Sequence, residues 1–378
     1  QSTNFQGIKL LNGNFDYQTS GVSAALADFR INAAKFSGDS LDVDVVVTQS
    51  AQQGQLFLSL GGSTLDFGGA DSGAITFEVT GSEGSRELSF ESGTSLTDIV
   101  NAINSFEDVT GVTASAASGA TGITLSSTNF GSDEFVSVDV NNEAGITAAS
   151  AQTGLYGFDA GSVDTTRIAA FNSTAADNGV RDAGQDVNAT VNGIQATARG
   201  KTLTINTDFL DTEITLTTGA AQTLATSNAF TITGGGADFQ LSGEVSIAGR
   251  VTLGIQNTST RLLGNSDVGF LDDLGSGKTF NVVNGDLEDA QKIVSEAISQ
   301  VSSTRGRLGA FQTNVVASTQ RSLSISFENT SAAESIIRDA DFAEETASLT
   351  RSQILTQAST QILTLANQTP QSALSLLG

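Results

Sequence analysis

The chain has 378 residues and a formal charge of −24, and it contains no His, Cys, Trp or Met. Without His and Cys, the Ser-His-Asp and Cys-His catalytic arrangements, disulfides and zinc-thiolate sites are excluded; carboxylate-pair hydrolysis and oxygen-ligand calcium sites stay open on composition, and no cofactor is implied. The acidic balance argues against binding nucleic acid or anionic lipid, and no apolar run reaches the roughly 18 residues of a membrane-spanning helix.

No basic-then-apolar signal peptide opens the chain. It starts in mid-pattern on Gln1-Ser2-Thr3-Asn4-Phe5, so the expectation is that further sequence precedes Gln1. From about residue 15 to 280, short alternating runs are separated by Gly, Asn, Asp and Ser, which reads as a β-rich body. Ile75, Phe77 and Val79 form one such run, and Leu88 and Phe90 another. Thr94-Ser95 can cap a helix whose apolar stripe is Leu96, Ile99, Val100 and Ile103. Strand-like runs follow near 112–116, 123–125 and 135–140. Val187, Ala189 and Val191 lead into Asn192-Gly193 and then Ile194, Ala196 and Ala198, the pattern of two strands joined by a two-residue hairpin turn. Residues 43–158 read as an α+β unit and 159–233 as a second β-rich unit, with Gly234-Gly235-Gly236 as a boundary.

Past residue 286 the period changes. Leu287, Val294, Val301, Leu308 and Val315 recur every seven residues, with Ala290, Ala297, Thr304, Phe311 and Ser318 three positions later. This is the a/d seam of a long helix. Gly306 and Gly309 each lower helix propensity by about 1 kcal/mol relative to Ala, which suggests close packing or a bend. The helix is expected to end near 328–330, and Ser331-x-x-Glu334 reads as a capping box opening a second one. Ile336, Ala340, Ala343, Ala347, Ile354, Ala358, Ile362 and Leu365 then follow at helical spacing, and the pattern is expected to stop before Pro370. A helix of about 40 residues is about 60 Å long and cannot bury its own seam. The fold class is therefore α+β, with long C-terminal helices forming a rod or coiled-coil stalk and β-rich outer domains. The protein reads as one built to assemble.

Other motifs are weaker. Gly275-Ser276-Gly277-Lys278-Thr279 looks like part of a phosphate loop, but Asp272 stands where the pattern needs Gly. Gly234-Gly235-Gly236-Ala237-Asp238 is better read as a turn than as a single calcium repeat. Asp272-Asp273 and Glu344-Glu345 are adjacent carboxylates suited to a solvated surface. Arg305 and Arg307 lie on or beside the seam, as surface ion pairs or as contacts to an acidic neighbouring subunit.

The run from Ser331 to Glu345 (SAAESIIRDADFAEE) closely resembles the flagellin C-terminal signature, as does Leu349-Thr350-Arg351-Ser352-Gln353-Ile354-Leu355. Ala366-Asn367-Gln368-Thr369-Pro370-Gln371 and the ending Leu374-Ser375-Leu376-Leu377-Gly378 match it too, and Arg305-Gly306-Arg307-Leu308-Gly309-Ala310 resembles the inner-rod helix. The stretch from Asn4 to Gly13 is similar to the flagellin segment after its N-terminal helices, and residues 75–140 resemble a module inserted in some flagellins and filament-cap proteins. The resemblance implies a non-enzymatic subunit of the bacterial flagellar filament, exported unfolded and located outside the cell. It implies residues 1–42 and 234–330 as the two parts of an inner-rod domain and 331–378 as a core helix. Leu287, Val294, Val301, Arg305, Arg307, Leu308, Phe311 and Val315 are then expected at inner-rod contacts, and Ile354, Ile362, Leu365, Leu374, Leu376 and Leu377 at the innermost core. Implied partners are other copies of the chain, cap and hook-associated proteins and an export chaperone. An innate immune receptor is a further one, although its main contact in the family is an N-terminal helix outside this chain. Alternative readings are a hook-filament junction protein, a middle region that binds glycans or a host surface, and, least favoured, an enzyme inserted in that region.

Overall fold

Period-two alternation puts every second side chain of a strand on one face, and here it builds two separate cores. The computed structural model describes residues 4–5, 8–9, 11–67, 73–116, 121–143, 153–159, 162–242, 249–266, 268–281, 283 and 287–378. Two units divide the chain, Gln1–Thr304 and Arg305–Gly378. Both cores lie in the first.

The first core is enclosed by two antiparallel sheets. One has the strand order Ser162–Ala169, Gly154–Asp159, Gln55–Ser59, Gly122–Ser127, Val112–Ser115; the other runs Val180–Ala183, Phe135–Asn142, Ala74–Thr80, Ser85–Glu91. Ile75, Phe77 and Val79 are all buried between them, together with Leu56, Leu58, Ile123, Leu125, Val136 and Val138. Helix α1 (Leu96–Asn104) packs Leu96, Ile99 and Ile103 into this core, with Val100 half-buried against it. Its start is the expected one: the Ser95 hydroxyl accepts the Asp98 N–H at 3.2 Å, satisfying a backbone donor that the first helical turn leaves open. Two short helices follow, α2 (Glu107–Thr110) and α3 (Thr174–Asp177).

The second core lies between the sheet Ile194–Gln195, Asn188–Val191, Leu41–Gln49, Thr226–Gly235, Tyr17–Ser20 and the sheet Thr197–Arg199, Thr202–Asn206, Leu210–Leu216, Leu26–Ala34. It buries Val43, Val45, Val191, Leu203, Ile214, Phe230 and Ile232, and α4 (Thr218–Gln222) adds Ala221. The hairpin at Asn192-Gly193 forms as expected, with φ of 49° and 79°. The Asn192 side chain anchors it, accepting the Asp44 N–H at 2.8 Å and donating to the Asp42 carbonyl at 3.0 Å.

The expected division of the body is corrected here. The boundary at 158/159 falls inside the first core, because Ser162–Ala169 pairs with Gly154–Asp159 and Val180–Ala183 with Phe135–Asn142. Residues 43–49, expected in the first unit, run down the middle of a sheet of the second core. Periodicity marks a strand but not its partner, and these partners lie far apart in sequence. Nor do the three glycines separate domains. Gly234 and Gly235 pair with Gln18 and Tyr17 at a bulged strand end, and a Cβ on Gly236 would lie 2.9 Å from the Tyr17 ring. Glycine is needed for that close approach and for φ of 87° and 81° at Gly235 and Gly236.

The C-terminal helix is also corrected. Helix α5 (Leu287–Ala310, 24 residues) passes through a π-helical stretch, Phe311–Val316, into α6 (Ala317–Leu377, 61 residues). No break occurs at 328–330, and the Ser331 capping box does not form. Residues 328–334 contain neither Gly nor Pro. Their Ser, Thr and Asn residues lower helix stability by only tenths of a kcal/mol, less than ending one helix and nucleating another. Pro370 lies within α6 rather than beyond it. It cannot donate to the Ala366 carbonyl, and the Thr369 hydroxyl donates to that oxygen instead, at 2.9 Å.

Candidate assembly surface

Helix α5 divides the expected seam into two stripes. Its buried residues are Ala290, Ile293, Ala297, Gln300 and Thr304. The three-later positions of the heptad therefore face the body, while Leu287, Val294 and Val301 face solvent at 66%, 39% and 43% exposure. Ile298, which the heptad reading passed over, joins them at 61%. Alanine and threonine at the three-later positions let the helix lie close to the β body, and Ile293 is fully buried on the same side, which leaves the other stripe to solvent. Gln300, also missed, is the polar key of this contact. Its amide donates to the Gly264 carbonyl at 2.8 Å and accepts the Gly264 N–H at 3.0 Å. A buried Gln beside the seam signals such a backbone partner, since an unpaired amide there would be costly.

Charge supports the same contact. Arg30 donates to Glu296 of α5 at 3.2 Å and to Asp28 at 3.3 Å. Burial raises the Asp28 carboxyl above its ordinary value, and the Arg30 guanidinium opposes that. Lys292 bridges Glu288 and, from the first core, Asp108, each at 3.2 Å. These ion pairs are half-exposed to exposed, so they orient the helix more than they stabilise it.

In the second unit the expected core residues are all at the surface. Ile354, Ile362 and Leu365 are exposed, and Leu374, Leu376 and Leu377 more so, at 77–88%. Leu308, Phe311 and Val315 are half-buried, Arg305 is exposed and Arg307 half-buried. Among the described side chains of α6 none is buried; that of Ala340 lies outside them. Phe327, Ile337, Phe342, Leu349, Leu355 and Leu363 are further exposed apolar residues that a single stripe did not collect. Their signal is apolar content on more than one face of the helix, which marks a helix buried on several sides. Hydroxyls add to it. Thr346, Thr350, Thr356, Ser359 and Ser372 each donate to the carbonyl four residues back, so their polarity is met within the helix.

Gly275-Lys278 is a turn in which Lys278 donates to Asp272 at 3.4 Å; residues 282 and 284–285 lie outside the described residues. Among the described residues no group of three acidic side chains is arranged to hold a metal ion, and no helix is long and apolar enough to cross a membrane.

Fold and surface define a chain with two β-sheet cores and a long C-terminal helix that displays apolar side chains along its length. Two parts of the chain match flagellin family models: residues 291–377 match the bacterial flagellin C-terminal helical region, and residues 74–129 match the flagellin hook IN motif. A flagellin of Bacillus subtilis is 54% identical over 90 residues, 24% of this chain and 29% of the relative. Flagellin D of Vibrio anguillarum is 45% identical over 108 residues, 28% of each chain. The chain thus spans less than a third of the length of these relatives. Among solved structures, the D2-D3 domains of a flagellar cap protein from Serratia marcescens are 22% identical, with a TM-score of 0.32 over 51% of this chain and 92% of that one. Those from Escherichia coli are 16% identical, with a TM-score of 0.34 over 57% and 97%.

Proposed function

We propose that the protein is a structural subunit of the bacterial flagellar filament, not an enzyme, which polymerises outside the cell through its C-terminal helix. The observation that carries this reading is the exposure of the apolar residues of α6 from Leu323 to Leu377. So much apolar surface on one helix is stable only when covered. Its partners are other copies of the chain, with the solvent-facing stripe of α5 (Leu287, Val294, Ile298, Val301) in the same role. Arg305 and Arg307 then meet acidic groups of a neighbour. Gly306 and Gly309 support this reading, because a Cβ at either would meet nothing within 4 Å in the chain itself. Glycine there lowers helix stability without serving a described contact, which fits a helix approached closely by another copy. Cap and hook-associated proteins, an export chaperone and an innate receptor belong to the same proposal. The test is assembly. Val301→Asp or Leu308→Asp in the full-length protein should abolish filaments in electron micrographs while the melting of the β body stays that of the parent. Filaments of normal length from both variants would refute the assignment of this surface.

A further inference from the structure

Four Asn-Gly pairs occur in the chain, at 12, 178, 192 and 284. Asn-Gly is where an asparagine most readily loses its amide, since the backbone nitrogen of the following residue can reach the side-chain carbonyl carbon and glycine offers it no Cβ hindrance. Asn284 and Gly285 lie outside the described residues. The other three sit in very different settings.

Asn192 is held from both ends. Its Oδ1 and Nδ2 are both bonded to the neighbouring strand, at Asp44 and Asp42, so turning the carboxamide onto the Gly193 nitrogen would break both bonds. At Asn178 the side-chain amide is drawn back to the Thr174 carbonyl at 2.7 Å, and the Gly179 N–H is spent on the Ala176 carbonyl at 3.3 Å. Asn12 is the opposite case. Its Oδ1 accepts the N–H of Asn14 at 3.2 Å, which folds the carboxamide over the intervening Gly13 and polarises its carbonyl. Gly13 has φ of 90°, and its carbonyl takes part in the turn, accepting from Asp16 at 3.1 Å.

We propose that Asn12 is a site of spontaneous deamidation in the folded protein, a modification that adds a negative charge to the turn at 11–16. The Gly13 nitrogen attacks Asn12 Cγ, and a new C–N bond closes a five-membered imide. The Asn14 N–H stabilises the oxyanion formed at Oδ1. The Cγ–Nδ2 bond then breaks, and ammonia leaves with the proton given up by the Gly13 nitrogen. Water opens the imide at either carbonyl, giving aspartate at the side-chain carbonyl or isoaspartate at the main-chain one. The isoaspartate product lengthens the backbone by one carbon beside a turn whose carbonyls at Leu11 and Phe15 accept from Thr258 and Ile255. Deamidation thus alters the contact between the N-terminal segment and the strand–loop that leads to α5.

The test follows the intact chain at mildly alkaline pH in water enriched in heavy oxygen, with peptide mapping by mass spectrometry at intervals. In the folded chain, label should enter at Asn12 several-fold faster than at Asn192 or Asn178; in concentrated urea the three sites should react at similar rates. Asn14→Pro, which removes the polarising N–H and leaves Asn-Gly intact, should slow the folded-state reaction at Asn12. Equal rates at the three sites in the folded chain, the same order of rates in urea, or an unchanged rate in a folded Asn14→Pro variant would overturn the proposal.

Discussion

At the scale of single residues, the conformations that matter most are set by contacts the neighbouring sequence does not reveal. Gly236 is the clearest example. Its φ of 81° and a Tyr17 ring that would stand 2.9 Å from any Cβ leave no room for a side chain. Gly236→Ala should destabilise the β body by about 1–3 kcal/mol, measured by urea unfolding of the full chain. Asp186 gives a prediction in pH. Burial pushes its carboxyl up. Hydrogen bonds from the Ser132 hydroxyl, the Gly200 N–H and the Ser132 N–H, with Arg199 nearby, outweigh burial and hold it below its ordinary value of 3.8. A carboxyl with a depressed folded value favours folding when ionised. That stabilisation is full above the ordinary value and disappears as pH falls through the folded one. Asp186→Asn should therefore lower the melting temperature at neutral pH, and the gap to the parent should close in acid below 3.8. A gap that stays constant down to the most acid sample would mean that the carboxylate charge is not what holds Ser132 and Gly200.

At the scale of elements, the run from Ala317 to Leu377 decides between two ways of reading the same residues. If Ser331 capped a second helix, Ala332 would be its first residue, a position where proline is well tolerated. In an uninterrupted helix the same substitution removes a hydrogen bond and clashes with the preceding turn. Ala332→Pro should therefore cost about 3 kcal/mol of local helix stability and appear as a loss of helical circular dichroism. Unchanged helicity would restore the two-helix reading. The contact made by α5 has a similarly local key. Gln300→Ala strips both partners from the Gly264 backbone, which leaves a buried donor and acceptor unpaired at a penalty of about 1–3 kcal/mol. The expected readout is faster amide exchange around Gly264 and along α5, with the second core unaffected.

At the scale of the whole molecule, charge and apolar surface oppose each other. A formal charge of −24 keeps copies apart in dilute buffer, while the exposed residues of α6 favour association. Salt screens the repulsion over a Debye length of about 8–10 Å and leaves apolar burial intact. On the proposed filament role, polymer yield, measured by sedimentation of the full-length protein, should rise with ionic strength, most steeply with sulfate, which also strengthens apolar burial. A yield that falls with added salt would mean that ion pairs, not apolar contact, hold the copies together.

What could be read from the residues alone depends on nearest neighbours, although the equally local Ser331 box and the stop before Pro370 did not hold. Ser95 as a cap, the Leu96, Ile99 and Ile103 stripe, the buried alternation of Ile75, Phe77 and Val79 and the Asn192-Gly193 turn each need only a few adjacent positions. The helical C-terminus was legible for the same reason, since its period repeats within a turn or two. Only the tertiary structure decided which strands pair, that residues 43–49 serve the second core, that Gly236 presses on Tyr17, and that α5 turns Ala290, Ala297 and Thr304 inward rather than Leu287, Val294 and Val301. A heptad defines two stripes of one helix without saying which meets the body and which meets solvent. That choice belongs to the shape of the surface the helix lies on, and strands scattered over more than two hundred residues assemble that surface.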